Sequence, residues 1–84
     1  MNNMFYVYIL KGDNKIYVGR TDDLKRRINE HFKNKVWTTK RLGKLELIYY
    51  EAFKDKIDSI RREKYLKTTK GKRALKLMLK ASLK

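Results

Sequence analysis

Three apolar runs along the chain predict three β-strands. Residues 4–10 (MFYVYIL) are apolar or aromatic at every position, which is typical of a strand covered on both faces. Residues 11–14 (KGDN) are turn residues, and residues 15–19 (KIYVG) form a second run, so the first two strands are expected to pair as a hairpin. Residues 45–53 (LELIYYEAF) predict the third strand.

The segment after the hairpin predicts the first of three helices. Thr21 or Asp22 is the expected N-terminal cap, and Asp23 places an acidic group in the first turn, where the helix dipole favours it. The helix ends at about Phe32, and residues 34–44 form a basic, irregular connection to the third strand.

The apolar spacing of this helix predicts which side is buried. At about 100° per residue, Leu24, Ile28 and Phe32 lie on one face, which we expect to pack on the sheet. Arg27 and His31 lie one turn apart at the edge of that face. Arg27 is therefore expected to emerge at the border of the core, where its side chain can be held in a fixed position.

The second helix is predicted to follow Asp55 and to cover residues 56–67. Glu63 lies at the centre of a face bracketed by Ser59, Ile60, Leu66 and Lys67. A carboxylate in a semi-buried face is costly unless it has a partner. Glu63 is therefore expected either to pair with a basic group or to ligate a cation.

The third helix is predicted to begin at about Lys72, after a break at residues 68–71. One side of it is basic, and another is apolar and expected to dock on the core. The basic side contains Lys72, Arg73, Lys76, Lys80 and Lys84. The apolar side contains Ala74, Leu77, Met78 and Ala81.

Together these elements predict an α/β fold, with a small, mainly antiparallel three-stranded sheet flanked by about three helices. The 84 residues are enough for one domain, residues 1–84.

The charge of the chain predicts a polyanionic partner. Lys and Arg number 23 against 9 Asp and Glu, a formal charge of +14, and nucleic acid is the leading expectation. A solvated basic surface, or an acidic membrane or protein partner, is the alternative. No apolar run approaches the roughly 20 residues of a membrane span. The start, MNNMFYVYIL, lacks the features of a secretory leader, so the cytoplasm is the expected location.

The composition also limits the metal chemistry. The chain has no cysteine and one histidine, which excludes a thiolate zinc site and a site with several histidine ligands. A metal would be held mainly by oxygen ligands, which favours Mg²⁺ or a similar hard ion.

Phosphodiester hydrolysis needs groups of the kinds that this sequence contains. A metal ion polarises the phosphate, a base positions and deprotonates water, and a fixed cation stabilises the charge that develops on phosphorus oxygens. Arginine suits the last role because its planar guanidinium pairs with two phosphate oxygens at once.

The order and spacing of the candidate residues resemble a known family. The sequence YVY at residues 6–8, YVG at residues 17–19 and RTDDLKRRINEH at residues 20–31 resemble the GIY-YIG nuclease family. The later REKYLK, residues 62–67, is similar to the glutamate-bearing helix of that family. Its members include phage homing endonucleases, some restriction enzymes and the incision subunit of bacterial excision repair. The resemblance covers nearly the whole chain and is nearest to the small stand-alone branch.

The resemblance implies roles for the hairpin residues. Tyr8 and Tyr17 match the two family tyrosines that line the active site; Tyr17 is preferred as the group that deprotonates or orients the attacking water. Gly19 matches the glycine that keeps the backbone clear beside the site. Arg20 lies where the family commonly has a basic residue, which assists the nucleophilic tyrosine.

The resemblance also implies roles for three helical residues. Arg27 matches the arginine that binds the scissile phosphate, and His31 a position, occupied by histidine or tyrosine, that faces the phosphate. Glu63 matches the single protein ligand of Mg²⁺ or Mn²⁺, with water and phosphate completing the metal shell. The implied reaction is DNA hydrolysis that leaves 5′-phosphate and 3′-hydroxyl ends, with repair or recombination structures as the expected substrates.

Further basic residues are expected to contact substrate. Lys40, Arg41 and Lys67 are candidates. Trp37, which lies among Lys35, Lys40 and Arg41, can stack on an exposed base. The chain departs from the family pattern at Tyr6, where glycine is usual. It also lacks a proline before the third strand, and both departures leave substrate choice open.

Each of these roles has a purely structural alternative. The tyrosines are common in strands and can be packing residues, and an arginine or histidine on a helix is often structural. The functional alternative is a non-catalytic nucleic-acid-binding module that uses the basic surface. RNA is a possible ligand, a monomer is favoured, and a partner protein can confer specificity.

Overall fold

The computed structural model describes residues 3–33 and 39–84. These residues form three strands and three helices, which confirms the predicted α/β class with a three-stranded antiparallel sheet. Within the described ranges, no helix combines the length and the apolar character that crossing a bilayer requires. The elements in chain order are β1 (Phe5–Lys11), β2 (Ile16–Thr21), α1 (Leu24–Phe32), β3 (Glu46–Phe53), α2 (Lys56–Leu66) and α3 (Thr69–Met78).

The sheet has the order β2-β1-β3, and both pairings are antiparallel. The central strand, β1, places Tyr8 opposite Gly19 of β2 and opposite Tyr50 of β3. Residues 7–10 of β1 are all buried, as the continuous apolar run predicts. Because side chains alternate along a strand, neighbours in β1 face different layers of the protein.

Two apolar clusters cover the two faces of the sheet. On one face, Val7, Ile9 and Val18 pack against the buried leucines of α2 and the α3 region, Leu66 and Leu75 among them. On the other face, Tyr8 and Leu10 pack against Ile28 of α1. The face with α1 is called here the tyrosine face, and the face with α2 and α3 the leucine face.

The N-terminal cap and the buried side of α1 differ from the sequence prediction, whereas the helix ends at Phe32 as predicted. Asp23 is the N-cap, and its carboxylate accepts from the backbone N–H of Arg26 at 3.1 Å. The Thr21 hydroxyl accepts from the N–H of Asp23 at 3.0 Å, so neither Thr21 nor Asp22 caps the helix. At the other end Phe32 is 49% exposed, whereas His31 is fully buried. The prediction that Phe32 packs in the core is wrong because hydrogen bonds allow His31 to occupy that side.

The junction between α2 and α3 is tighter than predicted. Asp55 caps α2 as expected, with its carboxylate accepting from Ile57 N–H at 2.8 Å. The predicted break between the helices is present but shorter than residues 68–71, because Thr68 caps α3 and Gly71 lies inside its first turn. A Cβ on Gly71 would lie 2.6 Å from Leu66 Cα, so the glycine permits a close approach of the two helices.

The buried side of α3 also differs from the prediction. Gly71, Leu75 and Leu79 face the core, whereas Leu77 is 77% exposed and Met78 is half exposed. The helix docks through the stripe that begins with its glycine, because that stripe allows the closest packing against α2. The basic residues Lys72, Lys76 and Lys80 lie on exposed positions beside it.

Candidate active site

Gly19 makes room for two tyrosine rings on the tyrosine face. Tyr8 lies directly across from it in β1, and Tyr17 is two residues away on the same side of β2. The two ring centroids are 6.2 Å apart. A Cβ on Gly19 would overlap the Tyr8 ring and hydroxyl and would lie 2.8 Å from Tyr17 Cε2. Only glycine at this position lets both hydroxyl-bearing rings lie over the strand.

A buried hydrogen-bonded chain extends from Tyr8 into the protein. The Tyr8 hydroxyl is 2.7 Å from His31 Nε2, and His31 Nδ1 is 2.7 Å from the Thr39 hydroxyl. The three side chains are at most 1% exposed. Burial lowers the pKa of His31 to about 4, and the nearby Arg27 charge acts in the same direction. The ring is therefore neutral at pH 7, with one nitrogen donating and the other accepting.

The environment of Tyr8 keeps its hydroxyl protonated. Burial raises the pKa of Tyr8 to about 12, and Tyr17 adds to the increase. The Arg27 guanidinium opposes it by favouring the phenolate, without overcoming burial. At neutral pH the Tyr8 hydroxyl is a hydrogen-bond donor.

Arg27 lies at the border of the tyrosine face, as the helical spacing predicts. Its side chain is 35% exposed, against 60% for Arg26 on the outer side of α1. Nη1 of Arg27 lies 3.1 Å from Glu30 Oε1. Its charge also acts on the Tyr8 and Tyr17 hydroxyls. The guanidinium is thus held by the Glu30 carboxylate and lies near the two phenols, with part of its surface open to a ligand.

Glu63 lies on α2 and is paired with two basic side chains. Lys67 Nζ is 3.1 Å from Oε2, and Arg20 Nε is 3.9 Å from Oε1. Arg20 alternates with Tyr17 and Gly19 along β2, so its side chain starts from the leucine face. Glu63 therefore has basic partners, one of the two arrangements that the sequence predicts. Its Oε1 atom has only the long contact with Arg20.

One residue of each group of candidate residues, Arg20 and Arg27, lines a common cleft at the end of β2. The structure brings Tyr8, Tyr17 and His31 together with Arg27 on the tyrosine face, and it brings Glu63 together with Arg20 and Lys67 on the leucine side. Because β2 is an edge strand, side chains from both faces can reach around its end. A cleft of about 320 Å³ at this edge has both Arg20 and Arg27 in its walls, together with Thr21, Glu30 and Lys56.

The donor set suits a metal that binds through a single carboxylate. Across residues 3–33 and 39–84, no three His, Cys, Asp or Glu side chains form a ready cluster for a metal ion. The half-buried Glu63 carboxylate keeps one oxygen without a close donor, so it can provide one ligand. Mg²⁺ commonly keeps several waters and takes one or two carboxylates. The residues present therefore fit a hard cation that completes its shell with water and phosphate.

The loop before β3 contributes a residue that sequence reasoning missed. Thr39 is buried and reaches His31 with its hydroxyl, although nothing in its local sequence separates it from an ordinary turn residue. Lys40 and Arg41 follow it on exposed turn positions. Trp37, the candidate for base stacking, lies outside the described residues. Glu30 and Lys56 in the edge cleft were also missed, and only their position beside Arg27 and Arg20 identifies them.

Comparison with known proteins identifies the family. A family model described as the GIY-YIG catalytic domain matches residues 3–76, and the chain belongs to the GIY-YIG family. Among its relatives, a UPF0213 protein of Clostridium perfringens is 36% identical over 83 residues, which cover 96% of this chain and 89% of the relative. A UPF0213 protein of Staphylococcus haemolyticus is 37% identical over 75 residues, covering 87% and 92% of the two chains.

A solved structure agrees with the fold. The solution NMR structure of a UPF0213 protein from Bacillus halodurans is similar with a TM-score of 0.58 and 32% sequence identity. The match covers 89% of this chain and 84% of the other. The comparisons confirm the family and the fold that the sequence motifs predict, and they place the chain in a family of nucleases.

Proposed function

We propose that this protein is a divalent-metal-dependent endonuclease that hydrolyses DNA phosphodiester bonds by direct attack of water. The observation that supports this most is the meeting of Tyr8, Tyr17 and Arg27 beside a cleft that Arg20 also lines. A packing role for the tyrosines does not require a charged guanidinium beside two phenol hydroxyls. The formal charge of +14 provides the attraction for a polyanionic substrate.

Arg27 binds the scissile phosphate in this proposal. Its guanidinium is partly exposed at the edge cleft and stays charged at all working pH values. Glu30 orients it before substrate arrives, so little reorganisation is needed when charge develops on the phosphate oxygens. Arg20, on the other wall of the cleft, is the second cation that contacts substrate, and Lys67, Lys40 and Arg41 are further substrate contacts.

The two tyrosines have different roles. Tyr8 retains its proton, because its pKa is raised to about 12 and its hydroxyl is bonded to His31. It is therefore suited to donate a hydrogen bond, and Tyr17 is the group that orients or deprotonates the attacking water. His31 has no exposed surface and uses both ring nitrogens within the protein, so it acts as a positioning residue for Tyr8.

Glu63 is the proposed ligand for Mg²⁺ or Mn²⁺. When bound there, such an ion supplies a Lewis acid that lowers the pKa of coordinated water and neutralises charge on the phosphate. Arg20 and Lys67 hold the carboxylate in place, and Oε1 is the oxygen with the weaker contact. The products carry 5′-phosphate and 3′-hydroxyl ends.

The experiment compares Glu63→Gln with Glu46→Gln, a control at an exposed carboxylate of β3. Purified proteins are incubated with plain, flapped and branched DNA in Mg²⁺ or in EDTA. We expect cleavage by the wild type and by Glu46→Gln in Mg²⁺ only, and a loss of at least about 100-fold in Glu63→Gln. Cleavage in EDTA, or full activity of Glu63→Gln, would contradict the metal role.

The second candidate function is a nucleic-acid-binding module without catalysis. The observation in its favour is that Glu63 already has two basic partners, as a structural ion pair would. This alternative predicts DNA or RNA binding by the wild type with no cleavage under any metal condition. A role in repair or recombination, a cytoplasmic location, a monomeric state and a partner protein that directs cutting belong to the proposal as well.

A further inference from the structure

A second basic site lies away from the edge cleft, between the β1–β2 turn and α3. It is a cleft of about 840 Å³ with five lysines in its walls, called here the lysine cleft. Ile16 and Leu83 provide apolar surface between the ammonium groups. The five residues are Lys11, Lys15, Lys72, Lys76 and Lys80.

The fold holds these lysines in a fixed arrangement. Lys72, Lys76 and Lys80 recur every four residues, so they share one side of α3 and its C-terminal extension. Leu75 and Leu79, which are almost fully buried, hold that helix against the leucine face. The hairpin turn is held from the other side, where Asp13 N–H donates to the Leu42 carbonyl at 2.8 Å.

The positive charge of the lysine cleft has little compensation within the part of the chain that the structure describes, where Lys11 Nζ donates to the Lys84 main-chain oxygen at 3.4 Å. Among the described residues, none of its five lysines forms an ion pair with an Asp or Glu side chain. Asp13 is the one carboxylate in the cleft wall, and its carboxyl group packs against Gly43, where an added Cβ would overlap it. Five like charges in one concave surface repel one another, and a bound polyanion relieves that repulsion.

The lysine cleft is separated from the tyrosine face by the sheet. Ile16 lines the lysine cleft and Arg20 lines the edge cleft, so the two sites are about 13 Å apart along β2. Ile16 belongs to the leucine face, whereas Tyr8 and Tyr17 belong to the opposite face. A straight duplex on the tyrosine face therefore leaves the lysine cleft unused.

We propose that the lysine cleft binds backbone phosphates of a second nucleic-acid segment, an arm that leaves the duplex at the cut site. Lysine ammonium groups bind phosphate as point charges and release counterions from the backbone without reading sequence. This proposal rests on the proposed function only in taking DNA as the substrate. It makes a branched or sharply bent substrate bind through both faces at once.

The test compares two pairs of substitutions that remove the same charge. Lys72→Gln with Lys76→Gln changes the lysine cleft, and Lys64→Gln with Lys70→Gln changes exposed lysines outside it. Binding to a three-way DNA junction and to a linear duplex of equal total length is measured in EDTA over a range of salt. Loss of two phosphate contacts lowers the slope of log affinity against log salt by about 1.8.

We expect the slope to fall by that amount when the variant with both cleft lysines changed binds the junction. The slope should change clearly less when that variant binds linear duplex, and when the control variant binds either DNA. Equal changes in the two pairs on the junction would overturn the site, and equal changes on junction and duplex would overturn the second segment. Loss of binding to phosphatidylglycerol vesicles, with DNA binding retained, would assign the cleft to lipid phosphate instead.

The outcome is independent of catalysis. Binding in EDTA requires no cleavage. If the wild type does not cut DNA in Mg²⁺ but the slope depends on the cleft lysines, the lysine cleft is supported and the nuclease function is contradicted. If the wild type cuts DNA and the slope does not depend on the cleft lysines, the nuclease function is supported and the lysine cleft is contradicted. Melting temperatures of both double variants check that the comparison is made between folded proteins.

Discussion

The two faces of the sheet are packed by side chains of different polarity. The leucine face is apolar inside, with Val7, Ile9 and Leu75 at 1% exposure or less. The tyrosine face buries a polar chain through Tyr8, His31 and Thr39. An apolar interior stabilises by excluding water, whereas a polar one only offsets its desolvation through complete hydrogen bonding. The difference indicates that the leucine face contributes most of the stability, and in the proposed nuclease the tyrosine face holds the reactive groups in place.

Two carboxylates that pair with basic side chains of α2 or its neighbours differ in how completely they are hydrogen-bonded. Arg62 binds Glu51 of β3 with two contacts of 2.9 Å, and Tyr49 donates to the same carboxylate at 2.6 Å. This bidentate arrangement joins α2 to the sheet. Glu63, by contrast, has one contact at 3.1 Å and one at 3.9 Å. The bidentate pair of Arg62 and Glu51 is structural, whereas Glu63 keeps one carboxylate oxygen, Oε1, for another ligand.

The largest expected effect tests the stabilising role of the leucine face. Leu75→Ala removes a fully buried side chain and is expected to lower the free energy of unfolding by about 2–5 kcal/mol. Leu77→Ala, two residues away and 77% exposed, is the control and should change it by less than about 0.5 kcal/mol. Urea unfolding followed by circular dichroism measures both. Similar losses in the two variants would mean that α3 does not dock as described.

The next effect tests the reactive role of the tyrosine face. Arg27→Ala is expected to reduce DNA cleavage by about 10²–10³-fold, because a preorganised donor to the phosphate is lost. Lys25→Ala removes a positive charge from an exposed position of α1 outside the edge cleft and should leave cleavage within a few-fold of wild type. Single-turnover cleavage rates with saturating protein separate this effect from weaker binding. Equal losses in the two variants would reduce Arg27 to a general contributor of charge.

The smallest effect concerns the pH dependence of the polar chain. The chain has one histidine, so its ring signals in NMR spectra are unambiguous, and His31 is expected to titrate with a pKa of about 4. The unfolded chain binds a proton near pH 6.5, whereas the folded protein binds it only near pH 4. The free energy of unfolding should therefore fall as the pH falls from 6.5 to 4, and this contribution is fully present above pH 6.5.

His31→Gln provides the comparison for that prediction. The variant lacks the ionisable ring, so its unfolding free energy should lose this pH dependence while the contribution of carboxylates remains. An observed histidine pKa near 6.5 would show that the ring is accessible to water, and the tyrosine face would then be open rather than sealed.

The sequence alone determined the elements and the chemical groups. Alternating and continuous apolar runs predicted the three strands, Asp55 predicted the start of α2, and the motif residues predicted the family. Helical spacing also placed Arg27 at the edge of the core. These features depend on residues near one another in the chain, where strand and helix periodicity act directly.

Only the tertiary structure decided how those elements meet. Gly71 suggested a break, yet it permits contact between α2 and α3 because the two helices approach too closely for a Cβ. His31 is buried instead of Phe32 because Thr39, eight residues later, completes its hydrogen bonds. Arg20 and Arg27 come from opposite faces of the sheet, and the position of β2 at its edge lets both line one cleft. Each of these outcomes depends on contacts between different elements of the fold, which the periodicity within one element does not specify.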